Sequence, residues 1–492
     1  WRARSRATVL RRVANVNELT VRSGGWTFVS IRSDNVTQGA VRNPMEELTT
    51  FLQAHPDVQF VDVLLPDLCN VIRGKRLPRA DLDKFYQEGF QVPSSIMLLD
   101  VTGEGGDPGG RGFSDGDPDV FARPVAGTLQ RVPWFDEPLG QVLGTLYDLD
   151  GSPCSVDPRH VLSSVCKRLT AEGLFPVVAL ELEFYLIDLN LAATGTVQPP
   201  LLPTSGHRVR DTQVYSISDL EGFSKFLGDV SRACEAQNIR LGAASTEYAQ
   251  GQYEINLHHV PDVQVAADHA ILLQRVVRGT ARRHGAAATF MAKPYREDAG
   301  SGLHVHLSLV DEEGHNVFDD DTEVGSPVLR HALGGLLETM PEAMALFAPN
   351  VNSYRRFVPN LYVPIRRSWG YNNRSVAVRI PAGANSSRRL EHRVAGADAN
   401  PYLVLATVLA GVHHGIQHRL DPGEASVGNV CGDRDPDLSF SWQAALDALA
   451  VGQILSEYLG ADYLDRYRLT KQFDHKNFYD QFSPLEFDWY IN

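Results

Sequence analysis

From Val177 to Ile187 the chain reads VVALELEFYLI. The run is apolar and rich in β-branched and aromatic residues, which predicts a strand, and a period of two puts Glu181 and Glu183 on one face, about 7 Å apart. Carboxylates inside such a run are costly unless they are paired or bound to a metal. The competing reading is the wet face of an edge strand, and the density of apolar neighbours argues against it. Ser301 to Leu309, SGLHVHLSL, repeats the device, with His304, His306 and Ser308 on one face and Leu303, Val305, Leu307 and Leu309 on the other. One histidine in a core strand is ordinarily a hydrogen-bonded packing residue. Two in register, behind Gly300-Ser301-Gly302, point to a ligand or a phosphate. Ser245 to His258, STEYAQGQYEINLH, sets Glu247 and Glu254 about a bend at Gly251, a pair that alone reads as two surface glutamates beside a turn.

Downstream lies a series of arginines: Arg355-Arg356, Arg366-Arg367, Arg374, Arg379, then Arg388-Arg389-Leu390-Glu391-His392-Arg393. A charge run is ordinarily a solvated face. This chain is acidic, however, with a formal net charge of −14, and the arginines alternate with Val376, Val378 and Ile380, so several share a face. Guanidinium forks suit carboxylates and phosphates. Carboxylates for hard divalent cations together with arginines for polyphosphate outline an ATP-using site, although neither GxxxxGK[ST] nor GxGxxG occurs.

Around these motifs, residues 159–172, 266–284, 327–347 and 401–419 carry apolar residues at helical spacing, and Val58 to Leu65 and Ser95 to Val101 read as strands. Gly103 to Gly116 is a Gly- and Asp-rich loop. The layout is α+β: a small β-rich N-terminal domain at 45–153, then a large catalytic domain at 154–492. Residues 1–44 hold eight arginines, no lysine and only Glu18 and Asp34. They resemble a transit peptide in composition, but without a sustained helical period they read as a basic, disordered extension. At 492 residues, 43% hydrophobic and 22% charged, the chain has material for substantial cores. No apolar run is long enough for a membrane span, and the acidic balance argues against a nucleic-acid partner. Five scattered cysteines without a CxxC pair fit reduced thiols and a cytoplasmic protein.

Six stretches then carry a specific resemblance: ELEFYLID at Glu181, GQYEINLHH at Gly251, MAKPYREDAGSGLHVHLSL at Met291, NSYRRFVP at Asn352, NRSVAVRIP at Asn373 and RRLEHRVAGADANPY at Arg388. In order and spacing they resemble the glutamine synthetase family across residues 57 to 492. The wording is closest to its γ-glutamylputrescine and γ-glutamylpolyamine synthetases. The resemblance implies a β-grasp N-terminal domain, a catalytic α+β domain and a homo-dodecamer with active sites between subunits. It implies two Mg²⁺ or Mn²⁺ ions, one held by Glu183, Glu247 and Glu254, the other by Glu181, His304 and Glu391. It places ATP against His306, Ser308, Arg374, Arg379 and Arg389, and glutamate against Gly300, Arg356 and Arg393, with Arg374 and Arg356 as catalytic arginines. The family's chemistry transfers the γ-phosphoryl of ATP to the glutamate γ-carboxylate, and a nitrogen nucleophile then attacks.

The departures concern that nucleophile. Where ammonium-using members carry an aspartate in an FDGSS-like loop, this chain has Val92, and where they carry a glutamate before a proline it has Tyr362. Ala299 replaces an asparagine beside the glutamate. Losing only the ammonium carboxylates implies another nucleophile, so the expected activity is ligation of glutamate to putrescine or another polyamine, with Val92 and Tyr362 lining the amine pocket. The alternatives are a ligase for a monoamine or ethanolamine, an ordinary glutamine synthetase, or a non-catalytic ligand-binding relative.

Overall fold

The computed structural model describes residues 43–189, 197–208 and 214–491. The expected extension lies outside them except for its end, where the Asn43 side chain accepts from the Met45 amide and caps the helix Pro44–Ala54. A first sheet follows, from β1 (Phe60–Pro66), β2 (Ile72–Pro78), β3 (Phe90–Pro93), β4 (Asp119–Pro124), β5 (Gln130–Arg131) and β6 (Leu139–Tyr147). Its order is β2-β1-β6-β4-β3, with β5 also on β6. β1 and β6 run parallel and the other pairs antiparallel.

The strand expected over Ser95 to Val101 is a 3-10 turn, Ser94–Leu98. Pro93 ends β3 because it offers no ladder donor. Met97 and Leu98 are buried, so the apolar run marked burial rather than pairing.

The second sheet contains β7 (Phe175–Asp188), β8 (Leu241–Thr246), β9 (Gln252–Leu257), β10 (Ala286–Thr289), β11 (Leu303–Val310), β12 (Trp369–Tyr371), β13 (Val378–Ile380) and β14 (Leu390–His392). The order is β12-β13-β14-β11-β7-β9-β8, and β10 joins β7 beyond the end of β11. The four expected helices form at Pro158–Thr170, Val263–Arg283, Pro327–Phe347 and Pro401–His418. Three begin with proline behind a side-chain cap: Asp157, Ser326 and Asn400 accept from the amides of Arg159, Leu329 and Tyr402. The last two helices touch backbone to backbone, since a Cβ on Gly335 would lie 2.0 Å from the Gly411 carbonyl oxygen. The α+β expectation is met.

Alternation divides the second sheet. Val178, Leu180, Leu182, Phe184, Leu303, Val305, Leu307 and Leu309 enter the main apolar core, which continues unbroken into Leu65, Leu143 and Leu146 of the first sheet. The other face, carrying Glu181, Glu183, His304 and His306, is left for the site.

Candidate active site

Strand register builds the site. β11 sets His304 opposite Glu181, and β9 sets Asn256 opposite Glu181 and Glu254 opposite Glu183. β14 sets Glu391 opposite His306, and β13 sets Arg379 opposite Glu391. Directly paired residues share a face, so five strands deliver carboxylates, imidazoles and guanidiniums to one surface. His304 stands between the first two glutamates, its Nδ1 3.1 Å from Glu181 and its Nε2 3.7 Å from Glu183. Potential ligand atoms of Glu181, His304 and Glu391 lie within 4.8 Å of one another, as do those of Glu183, Glu254 and His304. The first set is one of the two triads implied by the resemblance. The second pairs Glu183 with Glu254 as expected but takes His304 in place of Glu247.

The electrostatics separate these carboxyls into two classes. Burial disfavours ionised Glu181, yet hydrogen bonding from His304 and the charge of His306 outweigh it and hold the carboxyl below its usual range. Glu391 is fully buried, but Arg393 and the two histidines hold it down to about 2. Its oxygens meet Arg379 at 2.8 Å and Arg393 at 2.5 Å. By contrast, Glu254 is pushed up to about 10, by burial and then by Glu181, Glu183 and Glu247. Glu247 is pushed up to about 7, by burial and then by Glu183, with Arg374 opposing. Like charges directly opposite on neighbouring strands, as Glu183 and Glu254 are, destabilise a sheet unless a cation lies between them. Hard oxygen donors with one imidazole, short of positive charge, fit divalent Mg²⁺ or Mn²⁺.

Around this cluster the basic residues fall into place unevenly. Arg389 donates from Nε to His306 Nδ1 at 3.1 Å. His306 Nε2 is 2.7 Å from a Glu181 oxygen, although poorly aligned for a hydrogen bond. Ser308 follows on the same face of β11, half-buried. Arg356 is buried against Gly300 and Gly302, where an added Cβ would lie 2.6 and 2.8 Å from its side chain. Its fork donates to the carbonyls of Val394 and Arg393, leaving Nε unpaired, as is Nε of Arg393. Arg356 therefore braces the backbone that carries Arg393.

Arg374 and Tyr362 open on a common cavity of about 600 Å³, shared with Asn360, Tyr371, Asn373 and Cys431. Tyr362 has φ +55° and is 64% exposed. Among the described residues no carboxylate lines this cavity.

Val92 requires a correction. It was expected at the amine pocket, but alternation along β3 turns Gln91 outward and Val92 inward, opposite Val120 and 1% exposed. A side chain with no surface does not line a pocket in this chain. Sequence reasoning also passed over Gln252 and Asn256. Asn256 donates to Glu181 at 2.9 Å, and Gln252 donates to Glu183 at 3.2 Å. The signal was present in β9, where Gln252, Glu254 and Asn256 alternate with Tyr253, Ile255 and Leu257.

The family model "Glutamine synthetase, catalytic domain" matches residues 155–490. The chain is similar to γ-glutamylputrescine synthetase PuuA of Escherichia coli strain K12, at 42% identity over 91% of this chain and 94% of that protein. It is also similar to a glutamate–isopropylamine ligase of a Pseudomonas species, at 33% identity over 81% of this chain and 86% of the other. Among solved structures, a GmaS/ADP complex superposes with a TM-score of 0.77 at 26% identity, covering 90% of this chain and 99% of that one.

Proposed function

The chain belongs to the glutamine synthetase family, and on that premise we propose that it joins the γ-carboxylate of glutamate to a primary amine at the expense of ATP, by way of γ-glutamyl phosphate. Putrescine or another polyamine is the proposed nucleophile. The observation that carries this reading is the cavity at Arg374, where an aromatic residue, Tyr362, stands and, among the described residues, no carboxylate is present to hold ammonium. An alkyl amine brings methylenes to bury against such a wall, and an aromatic face also meets a cationic head favourably.

In this proposal Glu183, Glu247 and Glu254 hold one divalent ion, and Glu181, His304 and Glu391 hold the other. When bound, the ions supply positive charge that offsets the repulsion between the γ-carboxylate and the ATP phosphates. The remaining roles belong to side chains. Arg393 and the Gly300 backbone hold glutamate, with Arg356 fixing Arg393 from behind. His306, Ser308, Arg379 and Arg389 bind ATP. Arg374, close enough to Glu247 to affect its ionisation, stabilises the transferred phosphoryl.

The unit is proposed as a cytoplasmic homo-dodecamer with a β-grasp domain at 45–153 and a catalytic domain at 154–492. Self-association is supported by the C-terminal segment, where Phe482, Phe487, Trp489, Tyr490 and Ile491 are all more than half exposed. Among the described residues no helix is long and apolar enough to cross a membrane, and the five cysteines are free. The test is phosphate release with ATP and glutamate against ammonium, monoamines, ethanolamine, putrescine, cadaverine and spermidine. Turnover with an amine supports the reading, and turnover with ammonium alone overturns it.

A further inference from the structure

We infer that Gln252 is a positioning residue that fixes the metal ligand Glu183 and the glutamate-binding backbone at Gly300 in one register. The inference rests on the roles proposed above for those two residues.

Gln252 sits at the start of β9, opposite Tyr185, on the face that carries Glu254 and Asn256, and it is 2% exposed. Its amide nitrogen donates at 3.2 Å to Glu183 Oε2 and at 3.0 Å to the Gly300 carbonyl. Its amide oxygen accepts from the Ala249 N–H at 3.2 Å and lies 3.3 Å from the Tyr185 hydroxyl oxygen. Both donors and one acceptor position of this buried side chain are thus occupied. The backbone adds a fifth tie, since the Glu247 amide donates to the Gln252 carbonyl at 2.9 Å. Tyr185 extends the chain, its hydroxyl lying 2.5 Å from the Ala299 carbonyl.

Two consequences follow from this connectivity. Among the described residues the loop before β11 has no ladder partner at Ala299 and Gly300, and its carbonyls there are held by these two side chains. Glu183 Oε2 is also held by the Gly302 amide at 2.8 Å, so Gln252 and the loop grip the same carboxylate oxygen. A shift of the loop must then move the carboxylate, and the converse also holds. A buried amide with both donors engaged rigidifies what it joins, whereas removing it leaves a buried carbonyl without a donor.

The two arms of the network make the role separable from a merely structural one. Gln252→Met keeps volume but removes both donors, and it is expected to weaken Mn²⁺ binding and glutamate binding together, each about tenfold or more, as losing one contact to a charged or buried group does. Tyr185→Phe removes only the Ala299 arm, so it should weaken glutamate binding and leave Mn²⁺ affinity within about twofold.

Binding is read on the assembled protein without turnover: free Mn²⁺ by electron paramagnetic resonance, and glutamate by calorimetry with Mn²⁺ saturating. Circular dichroism and the melting midpoint establish that each variant is folded. If folded Gln252→Met binds both as the wild type does, the inference is overturned. It is likewise overturned if Tyr185→Phe loses Mn²⁺ affinity as severely as Gln252→Met. If wild type itself binds neither Mn²⁺ nor glutamate, the proposed roles of Glu183 and Gly300 fail instead. Should Gln252→Met not fold, Tyr185→Phe alone decides, through its expected loss in glutamate and not in Mn²⁺.

Discussion

Replacing Glu254 with glutamine should stabilise the metal-free protein while reducing what it gains from Mn²⁺. Glu254 lies opposite Glu183 in the β7–β9 ladder, and its carboxyl is raised from an ordinary 4.5 to about 10, by burial first and by Glu181, Glu183 and Glu247 after that. With a pKa raised on folding, the folded chain keeps a proton that the unfolded chain releases. The stability involved is complete below pH 4.5 and is lost as the pH rises towards 10. At pH 7 the loss is about 3 kcal/mol, from about 1.4 kcal/mol for each pH unit above the unfolded value. Glutamine resembles the protonated carboxyl and has no proton to release, so the variant escapes this loss. Each kcal/mol is worth roughly 2–4 °C in a domain of 150–250 residues and less in a longer chain, so a rise in midpoint of at least about 3 °C is expected. Differential scanning fluorimetry in EDTA between pH 5 and pH 8 measures it. The difference should be small at pH 5, about 0.7 kcal/mol by the same slope, and grow with pH, and Mn²⁺ should then raise the wild-type midpoint more than that of the variant. A variant that melts at or below wild type at pH 8 in EDTA, or a difference independent of pH, would refute the reasoning.

Chelation with EDTA should abolish phosphate release, and Mg²⁺ or Mn²⁺ should restore it. Glu183→Gln should lower the rate at saturating metal by about tenfold or more, comparable to losing a well-placed catalytic contact. Steady-state kinetics should separate the arginines: Arg393→Ala mainly raises KM for glutamate and Arg374→Ala mainly lowers kcat, and the reverse pattern means the roles are crossed. Tyr362→Glu should narrow the preference for alkyl amines over ammonium, because it adds a carboxylate to the cavity while removing the aromatic wall. An unchanged ratio of the two KM values removes Tyr362 from the amine site.

Much of the site was legible because strands write their faces into the sequence. The alternations ELEF and HVHLS placed Glu181, Glu183, His304 and His306 on one surface, and the ladder then paired Glu181 with His304. Glu391 could not be brought beside His306 by local pattern, because β14 reaches β11 only through long-range pairing; the resemblance supplied it. Glu247 read alone as a surface residue because a turn hides the neighbour that raises it, Glu183. Val92 failed for the opposite reason. A position matched by motif says nothing of which way a side chain turns, and in a short edge strand ending at Pro93 the alternation put Gln91, not Val92, on the outside. Ser95 to Val101 failed because apolar content reports burial, and a 3-10 turn buries Met97 and Leu98 as well as a strand does.

The central claim is that this chain ligates an alkyl amine rather than ammonium, and steady-state phosphate release with both nucleophiles tests it most directly. An amine with four methylenes buried against the Tyr362 wall gains about 0.8 kcal/mol for each, some 3 kcal/mol in all, which is a ratio of roughly a hundredfold. Putrescine or a similar alkyl amine is therefore expected to support turnover with KM at least about a hundredfold below that for ammonium. Ammonium proving the better substrate of the wild type, by kcat/KM, would contradict the account and leave an ordinary glutamine synthetase in its place.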